Sequence, residues 1–129
     1  MTPTIAWVGD AETAAIRILD QTRLPEEEVY LELREIPPLC EAIASLRIRG
    51  APAIGIAGAY GVALAAQRAV GSEAGDEQIR AAVARAAEQL RAARPTAVNL
   101  AWGVDRIVER FAAAWGSERG VTAARRAAA

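Results

Sequence analysis

The chain has 129 residues, 53% of them hydrophobic and 24% charged, with a net charge of −1. That is enough for one compact domain and too apolar for a disordered chain, and near-neutral charge excludes a general attraction to nucleic acid or anionic membranes. Every basic residue is arginine, histidine is absent and there is a single cysteine, which excludes lysine Schiff bases, histidine acid/base or metal chemistry and a disulfide framework.

Residues 4–36 read as a small antiparallel β-meander. "TIAWVG" is apolar and "GDAE" is a turn signal. In "AAIRILDQT", Ile16 and Ile18 point inward against Arg17 and Leu19, with Asp20 forming a turn at the strand end. After "QTRLPEE", where Glu26, Glu27 and Glu28 make a solvated turn, "EVYLELREI" sets Val29, Leu31 and Leu33 against Tyr30, Glu32 and Arg34. Such short connections exclude parallel crossovers.

From Pro37 the period becomes helical. A first helix over roughly 38–47 carries Leu39, Ile43 and Leu46, with Cys40 as packing filler on an apolar face. The uncharged run Gly50 to Gln67 approaches membrane-spanning length but contains Pro52 and four glycines, so it reads as a helix buried in a bundle. With no leader in "MTPTIAWVGD", a cytoplasmic protein is expected. Gly55, Gly58 and Gly61 give the helix a face without bulk that another element can approach closely. Asp76 is placed to cap a third helix with the stripe Ile79, Val83, Ala86 and Leu90, which Pro95 stops. A fourth, capped by Thr96 with Asn99 reaching back, carries Leu100, Val104, Ile107, Phe111 and Trp115. Trp7, Trp102 and Trp115 are read as core, and 116–129 as a truncated helical tail that frays, its Arg125 and Arg126 too few for a nucleic-acid patch. The fold class is α+β, a meander at about 4–36 followed by some four helices over about 38–115.

Two turns carry chemistry. Arg49-Gly50-Ala51-Pro52 sets a guanidinium beside a glycine and a proline-started helix, whose free N–H groups and partial positive charge suit a phosphate. It lacks the Lys-Ser/Thr of a Walker loop. "RPTAVNL" puts Arg94 at a second such helix start. The two sites either converge on one anion or are plain links between helices.

Together "LDQTRLP" (19–25), "RGAPAIGIAGAYGVALA" (49–65) and "RPTAVNLAW" (94–102) resemble the S-methyl-5-thioribose-1-phosphate isomerase family of methionine salvage, initiation-factor-2B-like isomerases, from about Trp7 onward. The resemblance implies an aldose–ketose isomerase that converts methylthioribose 1-phosphate to methylthioribulose 1-phosphate without cofactor or metal. It implies substrate contacts by Arg49, Gly50, Ala51 and Arg94, and a homodimer. It also implies a following Rossmann-like domain with a catalytic cysteine and aspartate. Cys40 precedes the arginine motif, and Asp76 and Asp105 lie outside the family's catalytic context, so no catalytic residue is assigned here. The chain then reads, over 1–129, as the N-terminal, phosphate-anchoring domain, inactive alone. It should expose an apolar face meant for the missing domain, and so self-associate or express poorly. The alternatives are a ribose-1,5-bisphosphate isomerase, a regulatory subunit of the initiation-factor nucleotide exchanger, and a non-catalytic interaction module.

Overall fold

The computed structural model describes residues 3–10, 12–72 and 74–115; the tail read from sequence as 116–129 lies outside them. Strands β1 (Ile5–Val8), β2 (Ala15–Leu19) and β3 (Tyr30–Leu33) precede helices α1 (Ile36–Ala44), α2 (Ala51–Gly71), α3 (Asp76–Ala93) and α4 (Val98–Trp115). This is the α+β order expected, a meander and then a helical bundle.

The strands form one antiparallel sheet in the order β1-β2-β3. Ile16 pairs with Trp7 and Leu33, and Ile18 with Ile5 and Leu31, so the alternation of the sequence becomes one apolar face. That face meets the helices, and the Trp7 ring sits edge-on to Tyr60 of α2 at 5.9 Å. Outside, Arg17 pairs with Glu32 and stacks on Tyr30, its guanidinium 4.8 Å from the ring centroid. Leu19 departs from the alternation: it is buried as well. β2 is the central strand, so its outward side chains stand between those of two neighbours: Leu19 is buried and Arg17 half-buried.

α1 starts with prolines in its first turn, where their missing N–H costs nothing. It ends earlier than its apolar spacing predicts, because Leu46 takes a left-handed φ of 63°. The Arg47 N–H then donates to the Ala42 carbonyl at 2.9 Å and the Leu46 N–H to that of Ile43 at 3.3 Å, the paired bonds of a Schellman ending. Leu46 is thereby turned out to 42% exposure instead of continuing the stripe of Leu39 and Ile43.

α2 is long and apolar enough to cross a membrane by length and composition, yet it packs against α1, α3, α4, β1 and β2. It buries Ile54, Ala57, Val62 and Leu64. The three glycines allow this. A Cβ on Gly58 would lie 2.9 Å from Leu100 and Val104 of α4, and one on Gly61 would lie 2.8 Å from Leu39 and Leu90. The fit is closest where Gly55 meets α4, since a Cβ on Gly103 would lie 2.1 Å from the Gly55 carbonyl oxygen. Gly55 lies against Asn99 and Gly103, and Gly58 against Leu100 and Val104, so α2 and α4 climb in the same direction with their N-termini at one end.

α3 connects them in the chain and packs against both. Its cap is Gly75 rather than Asp76: the Gly75 carbonyl accepts from Ile79 at 3.0 Å, and its N–H donates to the Gln78 side chain at 3.2 Å. Asp76 falls in the first turn, where its charge complements the helix dipole. Ile79, Val83, Ala86 and Leu90 are buried as expected. α4 starts after Thr96, which lies in a turn closed by the Ala97 N–H on the Arg94 carbonyl at 3.0 Å. Ala97, not Thr96, therefore occupies the position ahead of the helix. Leu100 and Val104 are buried, and Ile107 and Phe111 pack at the core's margin. Trp102 is not core: it is 62% exposed.

The Gly55–Gly103 contact joins backbone to backbone, so no side chain can yield to an added methyl. Gly103→Ala should cost about 3 kcal/mol or prevent folding. Gly71→Ala, whose added methyl would meet nothing within 4 Å, should stay within about 0.5 kcal/mol of the parent. Urea unfolding measures both, and equal midpoints would refute the close α2–α4 contact.

Candidate functional site

The shared direction of α2 and α4 places two helix N-termini side by side. Between them lies a cleft of about 410 Å³ lined by Gly50, Ala51, Ile54, Arg94, Ala97, Val98 and Asn99. On the α2 side, Gly50 precedes the helix with φ 94°, and its carbonyl accepts the first helical bond, from Ile54 at 3.0 Å. Space does not demand glycine there, since nothing lies within 4 Å of an added Cβ; the positive φ does. The N–H groups of Ala51 and Ala53 have no acceptor within the helix, and Pro52 has none to satisfy. On the α4 side, the Ala97 carbonyl takes the N–H groups of Leu100 and Ala101 at 3.1 and 3.3 Å, which leaves those of Val98 and Asn99 without an intrahelical acceptor.

Of the four residues singled out in the sequence, Gly50, Ala51 and half-buried Arg94 come together in this cleft. Arg49 does not line it; it is exposed beside it. Neither arginine forms an ion pair with a described residue. The cleft thus combines two positive helix ends with one guanidinium, and none of its lining residues has a carboxylate or a thiol. It can hold an anion and has no group for proton transfer. Among the described residues no cluster of three or more metal-ligating side chains is present.

The other titratable groups have structural surroundings. Burial pushes the Cys40 thiol up, which makes it a poor nucleophile. Asp105 accepts from the Arg91 guanidinium and ties α4 to α3. Asp20, by sequence only a turn former, is the buried charge of the described residues. It caps the 3₁₀ turn Gln21–Arg23, accepting from the Thr22 N–H at 3.0 Å and hydroxyl at 2.6 Å. Its other oxygen meets Arg47 at 2.8 Å. Burial alone would raise the Asp20 pKa, but the Thr22 bonds and the Arg47 charge more than offset it and hold the carboxyl below its ordinary value. The one signal of this pairing in the sequence is a charge at the end of an apolar strand.

Beside this cleft, and sharing Ala51, Val98 and Asn99 with it, runs an apolar groove of about 560 Å³ between α2 and α4. Val98, Trp102 and Ile56 are exposed along it, and Arg106 lays its guanidinium 5.2 Å from the Trp102 ring centroid. Trp102 has the residue type of a core side chain, but it stands two positions from both Leu100 and Val104, on the other side of α4 from their buried stripe.

Comparison with known proteins supplies the context. Residues 47–127 match the model of the initiation factor 2 subunit family. A methylthioribose-1-phosphate isomerase of Nitrosococcus oceani is 50% identical over 103 residues, 80% of this chain and 28% of the relative. One from Synechococcus sp. is 43% identical over 109 residues, 84% of this chain and 30% of the relative. The chain thus spans about three-tenths of the length of these curated relatives. Among solved structures, 5-methylthioribose 1-phosphate isomerase from Pyrococcus horikoshii superposes with a TM-score of 0.79 at 28% identity, over 99% of this chain and 35% of that one. The translation initiation factor eIF-2B subunit delta from A. fulgidus gives 0.80 at 36% identity, over 99% of this chain and 34% of that one.

A carboxylate whose folded pKa is lowered contributes stability above its unfolded pKa, and that contribution disappears as pH falls through the folded value. The wild-type chain should therefore lose stability as pH drops below the ordinary aspartate value of 3.8, and Asp20→Asn should lower stability at pH 7 while flattening that acid slope. Urea midpoints from pH 7 to pH 3 measure it; parallel pH profiles would refute the assignment.

Proposed function

The chain belongs to the initiation factor 2 subunit family, and from that premise we propose that it forms the phosphate-anchoring part of an aldose–ketose isomerase acting on methylthioribose 1-phosphate. The observation that carries this reading is the convergence of two helix N-termini and Arg94 on one cleft. Relatives named methylthioribose-1-phosphate isomerase, at 43% and 50% identity, support the substrate.

The reaction explains why anchoring matters. With the anomeric oxygen carrying the phosphate, the sugar cannot simply open to a free aldehyde, so ring opening must be assisted while the phosphate stays attached. Backbone N–H groups of α2 and α4 and the Arg94 guanidinium hold the phosphate, which fixes C1 and C2 against acid/base groups supplied from elsewhere. Arg49, Gly50 and Ala51 complete the contact: glycine lets the chain approach the phosphate at φ 94°, and exposed Arg49 swings onto it from the rim. Because the cleft's lining has no proton-transfer group, the chain alone is inactive. The remaining length of such relatives, carrying the catalytic groups, covers the exposed Ile56, Val98 and Trp102 face, and the complete enzyme is a cytoplasmic homodimer.

Likeness to an initiation-factor subunit and the exposed apolar face favour a second reading, a non-catalytic interaction module. Titration with methylthioribose 1-phosphate, followed by amide NMR, separates the two. Under the isomerase reading the amides of Gly50, Ala51, Val98 and Asn99 shift, and Arg94→Ala weakens binding about tenfold, the equivalent of one charge-assisted hydrogen bond. Arg49→Ala should weaken it less. Affinity unchanged in Arg94→Ala would sink the assignment.

A further inference from the structure

We propose that Asp20 and Arg47 form a clamp that positions the Arg49–Ala51 turn for phosphate, an inference that rests on the anion-site reading above. Asp20 lies on neither wall of the cleft, yet it is the buried charge of the described residues. Its partner stands two positions ahead of Arg49.

Arg47 is held by both main chain and side chain. Its carbonyl accepts the Gln21 N–H at 2.9 Å, and its own N–H closes the end of α1 on Ala42 at 2.9 Å. Its guanidinium donates to Asp20 Oδ2 at 2.8 Å, to Thr22 Oγ1 at 3.1 Å and to both oxygens of Glu41 at 2.6 and 3.1 Å. Asp20 in turn is fixed to the sheet, its N–H donating to the Val29 carbonyl at 2.8 Å. Next in the chain, Ile48 is buried. Then come exposed Arg49 and Gly50 at φ 94°, with no side-chain cap on α2. The conformation of this turn is set from outside, by where Arg47 and Ile48 are anchored. The end of β2 and α1 are joined at one guanidinium, on a residue four positions before α2, and a lysine's single ammonium lacks the planar fork that makes these bonds.

The test is ¹⁵N relaxation and inorganic phosphate titration of the full chain. In the wild type the Gly50 and Ala51 amides should have order parameters of about 0.85, and in Asp20→Asn they should fall below about 0.6. Phosphate should bind about fivefold more weakly in that variant, while the amides of Ile16, Leu90 and Leu100 keep their wild-type positions. Thr22→Val removes the hydroxyl shared by Asp20 and Arg47 and should change both readouts in the same direction by less; it decides the matter if Asp20→Asn does not fold. A purely structural ion pair would lower the melting temperature and leave turn order and phosphate affinity in the folded protein unchanged, and that result overturns the clamp. Wild-type amides that ignore phosphate would instead sink the anion-site reading, and the order parameters would then judge the clamp alone.

Discussion

Gly55 and Gly103 meet backbone to backbone, and most of the architecture depends on how closely that contact draws α4 onto α2. With a Cβ on Gly103 only 2.1 Å from the Gly55 carbonyl oxygen, any side chain at position 103 would push the two helices apart. Glycine inside a helix costs about 1 kcal/mol of propensity relative to alanine. The core offsets that cost, because close approach lets Leu100 and Val104 reach full burial against α2. It also fixes the relative height of the helices, so that Gly50 and Ala51 stand level with Val98 and Asn99 across one cleft.

That arrangement is electrostatically unfavourable in the absence of a ligand. Two helices that run in the same direction bring like ends of their dipoles together, and Arg94 adds a full positive charge at the same place. Packing elsewhere must outweigh the repulsion. Under the proposed anchoring role, an anion in the cleft would convert that repulsion into attraction from both sides. Like ends held together break a local rule of stability, and exceptions of this kind are common at functional sites.

Much of this was legible in the sequence because it is periodic. Strand alternation, the stripe of α3 and the glycine-lined face of α2 follow from spacing that one element imposes on itself. What failed to show depended on a second element. Leu46 fits the α1 stripe, but the chain reverses there and turns it outward. Trp102 has a core residue type, but it lies off the Leu100 and Val104 stripe and no described element covers that side of α4. Thr96 and Asp76 are good capping residues that lie one position from the cap actually used, a difference set by the turns around them. The cleft was legible in half: the arginine-glycine turn and Arg94 were marked by residue type, whereas Arg49's position outside the lining was not.

The separation between the meander and the cleft bears on how the site is built. No residue of the sheet lines the cleft, so the meander could pass for a lid on the core. Yet the strand end at Asp20 reaches Arg47 at 2.8 Å, just ahead of the turn that enters α2. The glycine contact sets the separation of the cleft's walls, and the ion pair sets the entry of the chain into one of them. Either device alone leaves the other coordinate undetermined: packed helices with a loose entry turn would scatter the Gly50 and Ala51 N–H groups, and a fixed turn over badly spaced helices would aim them away from Arg94. A small α+β domain therefore needs its sheet as an anchor for the mouth of the site, although the sheet itself supplies none of the groups that line it.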